Sequence, residues 1–151
     1  MANKTKIYIG ADHAGYEMKG EIKKFVEGLE YQIIDLGTFS TDSVDYPDIA
    51  REVAEKVIEI PDAVGILICG TGIGMSIAAN KLQGIRAAEC VNEAMAEFAR
   101  KHNNANVLCM GSRLIDLEAA KKITQKFLET EFENEERHVR RVDKMTKVWP
   151  K

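Results

Sequence analysis

The segment Cys69-Gly-Thr-Gly-Ile-Gly-Met-Ser-Ile-Ala-Ala-Asn80 concentrates usable chemistry. Glycines at 70, 72 and 74 let backbone N–H groups converge on one point. The helical pattern that follows adds its free first-turn N–H groups and the positive end of its dipole. Such a cradle suits an anion or a developing oxyanion. Cys69 stands at its mouth, and a thiol near a helix N-terminus carries a larger thiolate fraction, which suits a base or a nucleophile. A buried small apolar residue at a strand end is the equal alternative. The G-x-G-x-G spacing is not the G-x-G-x-x-G of dinucleotide-binding folds, and it follows the third strand-like run rather than the first. Gly10-Ala-Asp-His-Ala-Gly15 has the glycine spacing of a P-loop, but Tyr16 stands where the lysine is required.

Other loops offer partners. Asp12-His13 could hold a hydroxyl and an anion, although Asp12 serves equally as a helix N-cap. Asp45-Tyr46-Pro47 brings a ring and a carboxylate, and Gly111-Ser112-Arg113 brings a guanidinium. Arg137 and Arg141, four apart, share one helical face suited to a phosphate dianion; a solvated basic face is the plainer alternative. His102-Asn103-Asn104 closes a helical stretch, a common place for His and Asn.

Strand- and helix-like segments must position these residues. Near-continuous apolar runs at 6–10, 31–36, 64–69, 86–91 and 106–110 read as parallel strands covered on both faces. Helical spacing covers 15–29, 47–60, 74–82, 92–102 and 115–131. The alternation predicts a Rossmann-like α/β sandwich, doubly wound around a five-stranded parallel sheet. Ligands of such sheets bind beyond the carboxyl ends of the strands. That edge carries the loops after Gly10, Leu36, Cys69, Cys90 and Met110. His102 falls at the opposite edge, a strand length of about 17 Å away. If it is catalytic, it serves a neighbouring subunit. A second helix in the tail, about 132–151, would find little core left to cover in its own chain.

At 151 residues the chain has room for one ordinary domain, spanning 1–151, and its 45% apolar and 30% charged composition is that of a globular protein. No stretch approaches the ~18 apolar residues of a membrane span. The net charge of −3 speaks against bulk nucleic-acid binding. Cys69, Cys90 and Cys109 form no C-x-x-C pair and read as free thiols of a cytoplasmic protein. His13, His102 and His138 lie on separate elements without metal-motif spacing, so no metal or cofactor is expected.

The ordered set Gly10-Ala-Asp-His-Ala-Gly15, Asp45-Tyr-Pro47, Ile68-Cys-Gly-Thr-Gly-Ile-Gly74, Ala78-Ala-Asn-Lys81, Gly84-Ile-Arg86, His102-Asn103, Gly111-Ser-Arg113 and Arg137-His-x-x-Arg141 resembles the type B ribose-5-phosphate isomerases and their galactose-6-phosphate isomerase relatives. The resemblance spans almost the whole chain. It implies a metal-free aldose–ketose isomerase of the pentose phosphate pathway that interconverts ribose 5-phosphate and ribulose 5-phosphate through an enediolate. Cys69 would be the base and His102 the ring-opening acid/base. Thr71, Asp12 and Asn103 would hold sugar hydroxyls, with Tyr46 lining the pocket alongside Gly70, Gly72, Ile73 and Gly74. His13, Arg113, Arg137 and Arg141 would hold the phosphate. The resemblance also implies a homodimer or tetramer with active sites at the dimer interface. Allose or galactose 6-phosphate as substrate, and a non-catalytic sugar-phosphate-binding module, are the alternatives.

Overall fold

The computed structural model describes residues 5–147, 149 and 150. Five parallel strands, β1 (Lys6–Ala11), β2 (Gln32–Asp35), β3 (Val64–Cys69), β4 (Ala87–Glu89) and β5 (Val107–Gly111), lie in the order β2-β1-β3-β5-β4. The helices are α1 (Tyr16–Gly28), α2 (Tyr46–Glu59), α3 (Ile73–Ala79), α4 (Glu93–Lys101), α5 (Leu117–Glu129) and α6 (Glu136–Thr146). The Rossmann-like sandwich expected from the alternation is the fold observed.

Strand side chains alternate between the two faces. Ile7, Ile9, Ile66, Ile68, Leu108 and Met110 pack with α1, α4 and α5. Tyr8, Leu67, Cys69, Val107 and Cys109 pack with α2 and α3. The central strands are buried on both sides, which explains their unbroken apolar runs. The chain leaves β1 toward β2 but leaves β3 in the other direction, so a crevice opens beyond the carboxyl ends of β1 and β3.

The element bounds differ from the sequence reading where polar side chains intervene. Helix α3 stops at Ala79 because the Asn80 amide bonds across to Ala87, donating to its carbonyl at 2.9 Å and accepting from its N–H at 2.8 Å. Helix α5 starts at Leu117 because the Asp116 carboxylate accepts from Ala119 N–H. The tail helix does find core in its own chain: His138 and Val142 on α6 are buried.

One buried cation ties α1 to the crevice. Lys19 Nζ donates to both oxygens of Asp35, at 2.7 and 2.8 Å, and to the Thr38 carbonyl at 2.6 Å. Lys19 is 2% exposed, so removing it leaves the Asp35 carboxylate without its counter-charge. Lys19→Met is expected to lower stability by about 3 kcal/mol, read as a fall in the urea midpoint at unchanged slope.

Candidate active site

The cradle forms where β3 runs into α3. Gly72 caps α3 with φ +82°, a conformation open to glycine at little steric cost. The turn brings Gly72 N–H within 3.1 Å of Cys69 Sγ, to which it donates. Ile73 N–H donates to Thr71 Oγ1 at 3.3 Å. No acceptor among the described residues takes the N–H groups of Thr71, Gly74 and Met75. The donors left for a ligand are therefore fewer than the glycine spacing suggests, because two are spent holding the cradle in shape.

The loop after β5 closes the cradle from behind. Ser112 N–H donates to the Cys69 carbonyl at 2.8 Å, and Arg113 N–H to the Gly70 carbonyl at 2.9 Å. A Cβ on Gly111 would overlap the Thr71 backbone. The Arg113 guanidinium lies over Gly70, with Nη1 3.0 Å from where a Cβ would sit.

An open cavity of about 390 Å³ in front of the cradle is lined by Asp12, Tyr46, Cys69, Gly70, Thr71, Ile73, Gly74, Ile77 and Arg113. Tyr46, the first residue of α2, lays its ring on Gly74 where any side chain would collide. Asp12 is 6% exposed, and its Oδ1 accepts from Gly15 N–H at 3.1 Å. It therefore shapes the turn into α1 while also lining the cavity, but it is not the N-cap: Gly15 holds that position, and no side chain caps the helix. His13 Nδ1 accepts from Val44 N–H at 3.3 Å, joining the β1 loop to the one after β2.

The remaining sequence candidates lie elsewhere in the chain. Cys69 pairs with Gly111 at the carboxyl end of β5, whereas His102 caps α4 ahead of Val107 at the amino end. Asn103 lines a separate cavity with Arg86 and Met145. Arg137 is exposed and pairs with Glu135 at 2.6 Å, and Arg141 is exposed. A larger cavity, about 590 Å³, opens at the amino edge between Lys6, Asp62, Arg86 and Arg100. Burial, with Arg86 nearby, lowers the Arg100 pKa there to about 10. Its lining includes no cysteine or histidine, whereas the smaller cavity holds the Cys69 thiol.

Sequence spacing missed two neighbours of His102. The His102 and His138 rings stack with centroids 4.4 Å apart. Glu133 Oε2 lies 4.0 Å from His102 Nε2 and 3.8 Å from His138 Nε2. These three donors lie within 4.8 Å of one another, so two of the histidines that look separate in sequence converge. Their separation of 36 positions fits no local motif; only the return of α6 onto α4 joins them.

The model of the family described as Ribose/Galactose Isomerase matches residues 7–145. Ribose-5-phosphate isomerase B of Escherichia coli is 44% identical over 143 residues, covering 95% of each chain. The solved ribose-5-phosphate isomerase B of Clostridium thermocellum superposes with a TM-score of 0.91 at 48% identity, covering 94% of this chain and 95% of that one. That of Thermotoga maritima gives 0.91 at 47% identity, covering 95% of this chain and 99% of that one.

The three thiols differ in environment. All are free and buried. Burial, with Glu89 adding repulsion, pushes the Cys90 pKa up to about 12, and burial raises that of Cys109 well above the ordinary range. At pH 8 a thiol of pKa about 12 is ionised to roughly one part in ten thousand. Iodoacetamide at pH 8 is therefore expected to add one carbamidomethyl group per native chain, on Cys69. Peptide mass spectrometry checks this; labelling of Cys90 or Cys109 at a similar rate overturns it.

Proposed function

The chain belongs to the ribose/galactose isomerase family, and from that membership we propose how it interconverts ribose 5-phosphate and ribulose 5-phosphate: Cys69 moves the proton and His102 opens the ring. The observation that carries this reading is the Cys69 sulfur 3.1 Å from a backbone N–H, in a cavity shared with Asp12, Tyr46, Thr71 and Arg113.

The aldose must first be acyclic, which is the part given to His102. The Cys69 thiolate then takes the proton from C2. Charge passes to O1 as the enediolate forms, and the N–H groups of Thr71 and Gly74 stabilise it. One such donor is typically worth about 3–4 kcal/mol in the transition state. Cys69 returns the proton to C1 while the hydroxyl proton moves from O2 to O1. Thr71 offers its hydroxyl beside this exchange, with Gly70, Gly72 and Ile73 framing the cradle. Asp12 and Asn103 hold sugar hydroxyls, and Tyr46 covers the sugar. His13, Arg113, Arg137 and Arg141 hold the phosphate, whose remote binding orients the reacting carbons.

These residues act together only across two chains, because His102 and Asn103 sit at the edge opposite Cys69. A homodimer supplies the second chain, and a tetramer contains two such pairs. Its support is the exposure of large apolar side chains near both parts: Ile73 and Ile77 on α3, Met95 and Phe98 on α4. In this reading α6 is an arm that carries Arg137 and Arg141 toward the partner. No helix of the described residues is long and apolar enough to cross a membrane, and the free thiols fit a cytoplasmic setting.

Turnover is measured with ribose 5-phosphate, allose 6-phosphate and galactose 6-phosphate in parallel. Conversion of the pentose is expected to dominate, and preference for a hexose would move the substrate while keeping the chemistry. Cys69→Ser is expected to leave ribose 5-phosphate affinity within a few-fold and to lower kcat by at least about a thousandfold, since a hydroxyl is a far weaker base at neutral pH; unchanged kcat removes Cys69 from the reaction. Mixed Cys69→Ser and His102→Ala chains are expected to regain activity on subunit exchange. No recovery after exchange demonstrated by mass would show that each site is built within one chain.

A further inference from the structure

Buried polar atoms in folded proteins nearly always have a partner. His138 Nε2 is the buried side-chain nitrogen or oxygen without one among the described residues. His138 is 5% exposed, and its ring lies flat against the His102 ring, with planes 10° apart. Phe98, one turn earlier on α4, is a second ring neighbour of His102, at 5.1 Å and 37°. Glu133 supplies the adjacent carboxylate.

The backbone builds this group deliberately. The segment between α5 and α6 is fastened to the end of α4: Glu133 N–H donates to the Lys101 carbonyl at 3.0 Å, and Arg100 Nε donates to the Thr130 carbonyl at 3.2 Å. Arg100 also bonds Asn104 Oδ1 and the Ala105 carbonyl. The charged groups facing the pair from α4 and this segment are thus Lys101, which is paired with Glu97, and Glu133. Fastening the segment brings both Glu133 and α6 to the face of His102.

We propose that His138 is a positioning residue for ring opening: its flat contact fixes the angle of the His102 ring, and Glu133 stands ready for the imidazolium that forms. This rests on the ring-opening reading of His102. In that step His102 takes the proton of the anomeric hydroxyl, the bond from C1 to the ring oxygen breaks as the C1 carbonyl forms, and His102 returns a proton to the ring oxygen. No proton is gained or lost overall. A ring fixed in one plane stays aimed at both oxygens through the two transfers, and small misplacements of a reacting group are costly. His138 Nε2 is sealed from solvent, so His138 acts through His102 rather than on the sugar. A shared metal ion fits less well. Near-parallel rings direct their nitrogen lone pairs along separate planes, whereas a metal needs them to meet.

The test compares two reactions of the whole protein. Turnover of ribose 5-phosphate, which is mostly cyclic, needs ring opening. Exchange of the C1 hydrogen of ribulose 5-phosphate with D₂O does not, because a ketose phosphorylated on O5 stays open. His138→Ala is expected to slow the first on the order of tenfold to a hundredfold and to leave the second near the wild-type rate. His138→Phe, which keeps a flat ring, is expected to recover most of the loss. In a His102→Ala background, His138→Ala should add nothing. Equal loss in both reactions for His138→Ala, or a further loss on top of His102→Ala, overturns the proposal. If His102→Ala itself slows both reactions equally, the ring-opening reading fails first, and the two failures are told apart. Turnover that falls with EDTA and returns with zinc in the wild type, but not in His138→Ala, would replace the positioning role by a metal site.

Discussion

The site depends on one close approach of two backbones. The end of β5 presses against Thr71 with no space for a side chain at Gly111. That contact lets the N–H groups of Ser112 and Arg113 reach the carbonyls of Cys69 and Gly70. With those carbonyls held from behind, the N–H groups of Thr71 and Gly74 stay without an acceptor among the described residues, and Gly72 supplies the left-handed conformation that completes the turn. The same approach lays the Arg113 guanidinium over Gly70. Donor array, thiol and cation are thus one packing event. In a preorganised site the donors need no rearrangement when charge develops, which is the source of their catalytic value.

Sheet geometry gives the three thiols different surroundings. Cys69 and Cys109 point to the same α2/α3 side of the sheet. Along the register Cys109 pairs with Leu67, and Cys69 pairs with Gly111. Two residues along a strand, about 7 Å, separate a thiol that meets a turn N–H from one sealed among apolar side chains. Cys90 packs among the residues on the other side and pays for burial with its ionisation. Residue type alone does not distinguish them; position along the strand does.

The parallel sheet is legible in the sequence because the runs at 64–69 and 106–110 are unbroken, and only a strand covered on both faces permits that. The cradle is legible because Gly70, Gly72 and Gly74 are adjacent in the chain, as are Asp12 and His13. Less legible is anything fixed by a side chain crossing between elements. Asn80 ends α3 by bonding Ala87, and nothing in the helical spacing announces it. Glu133 and His138 reach His102 because the segment after α5 is fastened to Lys101 and Arg100, a contact between parts of the chain about 30 positions apart. Nothing in the local sequence around Glu133 announces that its carboxylate faces two imidazoles.

The two edges of the sheet are under different demands. The carboxyl edge of a doubly wound sheet gathers loop backbone, which suits charge that develops and vanishes. The amino edge gathers helix ends and their carbonyls, and there Arg86 and Arg100 are held by neutral oxygens of Gly84, Asn104, Ala105 and Thr130. An edge so fastened holds the end of α4 against the segment after α5. Within one chain the cradle and the clamped imidazole stand a strand length apart and cannot meet without undoing the sheet. On the proposed composite site, joining them by a second copy would leave both edges of the sheet as they stand.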